Sequence, residues 1–165
     1  MYAQRLFQCL SVSIRPLRVE ELAEIFAVRS DVAGLPTFDP DFRPVDASKA
    51  VLSACSSLIS IVDVAGSQVV QFSHFSVEEF LTSDRLANAK NSLSSYHILP
   101  ESAHSTLARA SLSVLLQLDD KIDRNAIHHF PFASYAAQYW INHARIEGVS
   151  SHDVENMMKR LFDLS

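Results

Sequence analysis

The chain has 165 residues, 48% apolar and 20% charged, which is the balance of a globular protein and room for one full domain with a smaller second unit. Three glycines leave little scope for a Gly-rich phosphate loop or a turn-dense β sandwich. A formal charge of −5 withholds the surplus of Lys and Arg by which proteins neutralise nucleic-acid phosphates.

Apolar spacing predicts a first helix over Tyr2 to Val12, with Tyr2, Leu6, Phe7 and Leu10 on one face. Pro16 breaks that pattern. A second helix is expected from Val19 to Val28, striped by Val19, Leu22, Ile25 and Phe26. Glu20 and Glu21 suit its positive end, but Arg18 before them has no oxygen to cap it, a deficit of ~1 kcal/mol against Ser or Thr. Pro36, Pro40 and Pro44 make Arg29 to Val45 a surface loop. Asp46 caps a third helix reaching Leu58, with Ala47, Val51, Ala54 and Leu58 facing inward. The runs Ile59 to Val64 and Val69 to His74, around Ala65, Gly66 and Ser67, read as a hairpin. Ser76 and Glu79 then form a capping box opening a fourth helix to Leu86, with Val77, Phe80 and Leu81 buried.

A polar, serine-rich stretch from Ala87 to Leu99 separates units 1–86 and 87–165. Pro100 suits the first position of a helix ending at Leu118, whose apolar positions include Leu107, Val114, Leu115 and Leu118. Asp119–Asp123 reads as a solvated acidic run. A turn near Ile127 leads through Pro131 to a helix carrying Phe132, Ala136, Tyr139 and His143, closed by Gly148. Ser151 is placed to cap a last helix to Phe162, lined by Val154, Met157, Met158 and Leu161. The fold class is therefore mainly α: a winged helix (three helices plus one β-hairpin) followed by a small antiparallel helical array.

Catalytic signatures are sparse. Cys9 and Cys55 read as reduced core thiols, and the seven histidines form no His-x-x-x-His pair. No metal site or catalytic residue is expected. The sequence has neither a Walker loop nor a Gly-x-Ser-x-Gly elbow, so no cofactor is expected on the isolated chain. No leader and no membrane span of roughly 20 apolar residues is read, which points to the cytoplasm. In a nucleic-acid-binding winged helix the third helix would do the reading, yet between Asp46 and Gly66 Lys49 is the one basic residue. A stand-alone nucleic-acid binder is therefore the alternative reading, and a hydrolase pairing His74 with Ser73 or Ser76 a more distant one. His74 itself carries two readings. Strand alternation puts it with Val70 and Phe72 on an inner face, as a core histidine; its place just ahead of a helix N-terminus suits an anion.

The stretch Val69 to Leu81, Val-Val-Gln-Phe-Ser-His-Phe-Ser-Val-Glu-Glu-Phe-Leu, resembles a signature of NACHT-containing STAND proteins, the signalling ATPases that include NOD-like receptors. Arg15-Pro16-Leu17 and Ser53-Ala54-Cys55-Ser56-Ser57-Leu58 are similar to the winged-helix region of fungal NACHT–ankyrin members, a domain type also labelled the winged helix of GPI inositol-deacylase. That label does not imply deacylase activity. Tyr96-His97-Ile98-Leu99-Pro100 and Tyr135-Ala136-Ala137-Gln138-Tyr139-Trp140 resemble the helical segment ahead of the ankyrin repeats. The resemblance implies a non-catalytic regulatory segment whose partners are a NACHT nucleotide-binding domain and downstream ankyrin repeats, with neither nucleic acid nor membrane. It also implies that His74 contacts the β-phosphate of ADP held by that NACHT domain and so latches the ADP-bound state. Arg18 stands where relatives often have a capping Thr.

Overall fold

The computed structural model describes residues 2–29, 35–90, 92–118, 124–149 and 152–163. In chain order it comprises α1 (Tyr2–Val12), β1 (Leu17–Arg18), α2 (Val19–Ile25), β2 (Val28–Arg29), β3 (Thr37–Phe38), α3 (Ala47–Cys55), β4 (Ile59–Val64), β5 (Ser67–Phe72), α4 (Phe75–Leu81), α5 (Asp84–Ala87), α6 (Pro100–Gln117), α7 (Ala133–Ala144) and α8 (His152–Asp163). Short 3-10 helices lie at Pro40–Phe42, Ser92–Tyr96 and Arg124–His129. The architecture is mainly helical and the winged-helix class holds. The expected acidic run Asp119–Asp123 and the Ser151 cap lie outside the described residues.

The wing is a three-stranded antiparallel sheet in the order β1-β5-β4. Its third strand, β1, is two residues long and pairs Leu17 with Val70 and Arg18 with Val69. The hairpin register sets Ile59 opposite Phe72 and Val64 opposite Ser67. Ala65 (φ 53) and Gly66 (φ 81) make the turn between them, the pair of left-handed residues that matches strand twist in a two-residue hairpin. Asp63 Oδ1 accepts the Gly66 amide at 3.0 Å. The second strand therefore runs Ser67–Phe72 rather than Val69 to His74, because a tight turn takes up only Ala65 and Gly66.

Two helix ends differ from expectation for tertiary reasons. α2 stops at Ile25 because Val28 leaves the helix to pair with Phe38 across a second small sheet, so part of the expected Arg29 to Val45 loop is strand. At its start Arg18 supplies no capping oxygen, but Glu21 Oε2 accepts the Arg18 amide at 2.9 Å, the reciprocal half of a capping box. The helix expected to reach Leu86 is two helices. Ser83 restarts the chain as an N-cap, its Oγ accepting the Leu86 amide at 3.3 Å.

A single apolar cluster joins α1, α2, β5 and α3 to α6 and α7, running from Leu6 to Ala136, so stretches 1–86 and 87–165 share one core. Buried Ala103, Leu107 and Ala110 line α6 within that cluster, and small side chains let helices approach closely. Gln8 of α1, nearly buried, bridges to Ser102 (3.1 Å) and Thr106 (2.9 Å) of α6. A smaller cluster of Leu112, Trp140, Val154 and Met157 fastens α7 and α8 onto α6.

Candidate functional site

His74 is neither in a strand nor in the core. β5 ends at Phe72, and His74 is exposed as the N-cap of α4. This corrects the inner-face reading, which depended on a strand two residues longer. The cap moves from Ser76 to His74 as well: the ring Nδ1 accepts the Ser76 amide at 3.2 Å and lies 2.8 Å from Ser76 Oγ. Phe80, expected inside α4, is 43% exposed, and Val77 is half-buried. The helix terminus itself therefore has little to offer an anion. α4 has seven residues and its capped amide is spent on the imidazole. What the site offers is the ring: with Nδ1 accepting, the proton of the neutral imidazole sits on Nε2, a donor for an oxyanion.

The ring lies in a cleft of about 490 Å³ whose lining includes Ser13, Arg15, Pro16, Phe72, His74 and Glu78. Periodicity gave no reason to pair Arg15 with His74, because the cleft forms where the turn after α1 meets the start of α4. Arg15 is held from behind. Its Nη1 and Nη2 donate to Glu21 at 2.8 and 2.7 Å, and its guanidinium stacks 5.0 Å above the Tyr135 ring. Glu21 is fully buried yet its carboxyl stays below the ordinary value; burial pushes it up, and the bonds from Arg15 and Arg18 outweigh that. The bidentate pair with Glu21 fixes the geometry of Arg15 in the cleft wall.

Glu24, one turn further along α2, shows the opposite balance. Burial raises its carboxyl despite an ion pair with Arg43 and a 2.6 Å bond from the Phe132 amide. Arg43 lies over the rings of Phe38 (5.1 Å) and Phe130 (4.7 Å). This ties α2 to the entrance of α7 and fixes the helical array against the winged helix.

Beside the cleft, a second hollow of about 410 Å³ is almost wholly apolar, walled by Phe7, Leu58, Val77, Phe80, Leu93 and Tyr96 among others. Phe75, 68% exposed, stacks beside His74 at 4.3 Å between ring centroids. Around α4 the protein thus exposes a polar cleft and an apolar hollow side by side. Among the described residues no carboxylate is hydrogen-bonded to the His74 ring, and no three of His, Cys, Asp or Glu converge as for a metal. None of the described helices is long and apolar enough to cross a membrane. Cys9 is buried and its thiol is pushed up to about 12 by burial, while Cys55 is half-buried; both are free.

The chain is 30% identical over 165 residues to the azaphilone pigments biosynthesis cluster protein L of Monascus ruber. That match covers 96% of this chain and 34% of the relative, so the chain spans about a third of that protein's length. No solved structure matches it. The family described as GPI inositol-deacylase, winged helix domain, matches residues 1–93, which take in the wing, the His74 cap and the cleft. The chain belongs to the GPI inositol-deacylase-type winged-helix family.

Proposed function

We propose that this winged helix is a non-catalytic regulatory segment that packs on the nucleotide-binding domain of a NACHT-type signalling ATPase and latches its ADP-bound state. The observation that carries the reading is the placement of His74: solvent-facing, tied through Nδ1, with a donor nitrogen left in a cleft walled by Arg15. A histidine packed in the core could not reach a nucleotide in another domain; this one can. The exposed Phe75 and Phe80 and the apolar hollow beside them give the same face an area suited to packing against protein. The nucleic-acid alternative draws no comparable support, since α3 carries Lys49 as its one basic side chain.

The geometry also chooses the variant for the test. Leu at position 74 would remove the α4 cap together with the donor, so His74→Asn is the cleaner change: Asn caps well but is too short to place a donor where Nε2 lies. A charge-assisted hydrogen bond contributes roughly 1.5–3 kcal/mol, equivalent to about 10–150-fold in an equilibrium constant. In an intact NACHT-containing relative, His74→Asn should weaken ADP retention by a factor in that range and raise basal signalling, with thermal stability retained. Unchanged ADP affinity and basal output in a folded His74→Asn protein would sink the latch.

A further inference from the structure

We propose that His104, His143 and Tyr135 form an acid-released fastener that holds the Ile14–Pro16 turn, and with it the Arg15 wall of the His74 cleft, in place. The chain of contacts is continuous. The Ile14 amide donates to Tyr135 Oη at 3.1 Å, Tyr135 Oη lies 2.9 Å from His143 Nε2, and His143 Nδ1 lies 2.8 Å from His104 Nδ1. Tyr135 and His143 are fully buried and His104 is half-buried on α6. Tyr135 and His143 share α7, whereas Ile14 and His104 reach them only because α7 packs on α6 and on the turn after α1.

One neutral arrangement satisfies every atom of this chain. Tyr135 already accepts from Ile14, so its hydroxyl hydrogen donates to His143 Nε2. His143 must then carry its proton on Nδ1 and donate to His104 Nδ1, and His104 keeps its own proton on Nε2. A further proton has no good place. On His104 Nδ1 it would set two donors face to face at 2.8 Å. Flipping His143 to the other tautomer would relieve that clash but leave the buried Tyr135 hydroxyl hydrogen without an acceptor, a costly state in a dry interior.

The dry surroundings favour the neutral chain. Burial pushes His143 down to about 4, with His104 adding to the effect, and burial also pushes His104 down against the pull of Glu101 on the same helix. Burial lifts Tyr135 to about 12, with Cys9 of α1 and Tyr139 of α7 adding and the Ile14 amide and Arg15 opposing. From α8, Asp153 is engaged by Arg109 of α6 at 3.0 Å; from α2, Glu21 is engaged by Arg15. Because both histidines are depressed in the folded protein, the fastener is intact above the ordinary imidazole value near 6.5 and is lost as pH falls toward about 4. Its release loosens the Tyr135 hydroxyl on which the Ile14 amide depends.

The fastener stands on its own contacts; only its purpose, adjusting the cleft, rests on the proposed function, and its test uses no nucleotide. Amide hydrogen exchange of Ile14, corrected for the intrinsic pH dependence of exchange, is followed in the 165-residue chain from pH 7.5 to 4.5. Protection of Ile14 should fall at least tenfold across that range while amides in the middle of α6 stay protected. In Tyr135→Phe, Ile14 should be unprotected throughout. Nitrogen-15 spectra of the wild-type rings at pH 7.5 should show His143 protonated on Nδ1 and His104 on Nε2, a readout that stands even if Tyr135→Phe does not fold. Ile14 protection that is flat with pH, or lost only together with α6, would overturn the proposal, as would the opposite tautomers.

Discussion

Glu21 and Glu24 sit one turn apart on α2, are both buried, and have pKa values displaced in opposite directions, Glu21 down and Glu24 up. Glu21 receives bonds from Arg15, from the Arg18 side chain and from the Arg18 amide, whereas Glu24 has Arg43 and one amide and also feels the neighbouring Glu21 charge. Removing one member of a buried pair strands the other charge and costs 3–5 kcal/mol in typical cases. Glu21→Gln should therefore destabilise the chain by about 3 kcal/mol, the low end, because both arginines keep some contact with water. Urea unfolding checks this, and a loss under ~1 kcal/mol would show that the pair is as weak as an ordinary surface bridge. The pH dependence has a definite sign. The Glu21 carboxyl is depressed by folding, so its contribution is present above the ordinary carboxylate value and is lost as pH falls through the lower folded value. The wild type should lose this increment in that acid range, and Glu21→Gln should not.

At the scale of elements, what could be seen in the sequence was what repeats within one element. α1 occupies the expected Tyr2–Val12, and Pro100 does open α6, because amphipathic period and proline at the first turn are local signals. β1 was invisible: two residues have no period, and Leu17–Arg18 becomes a strand only when β5 lies beside it. The same cause displaced His74, since an inner-face assignment needed the strand to continue past Phe72. The Arg15–His74 cleft and the His104–His143 contact join distant stretches of chain, which no spacing rule reaches. Two predictions belong here. Ala65 holds a left-handed conformation at φ 53 in the hairpin turn, where Asn or Gly is favoured, so Ala65→Asn should recover part of the roughly 1–2 kcal/mol that this conformation costs; a loss of stability would contradict the turn. Phe72 is half-buried, 6.0 Å from Phe7 between ring centroids, whereas Phe132 is fully buried. Full burial makes Phe→Ala cost about 3–5 kcal/mol, so Phe132→Ala should exceed Phe72→Ala, which should cost about 2 kcal/mol. The reverse order of melting temperatures would show the core misplaced.

For the whole molecule, the shared core fixes the helical array against the winged helix and leaves the α4 face open. Phe75, Phe80, Leu93 and Tyr96 are each at least 39% exposed there, beside the apolar hollow, and a patch of that kind promotes association. The isolated chain should therefore self-associate weakly or bind an apolar dye; a clean monomer in sedimentation at high concentration, with no dye binding, would count against an unmatched docking face. The most direct test of the latch compares ADP affinity by calorimetry for three samples: the isolated chain, the NACHT domain of a relative alone, and that domain joined to its winged-helix segment. A latch requires no measurable binding by the isolated chain, and binding by the joined protein about 10–150-fold tighter than by the NACHT domain alone. Equal affinity of the NACHT domain with and without the segment, or micromolar binding by the isolated chain, would contradict it.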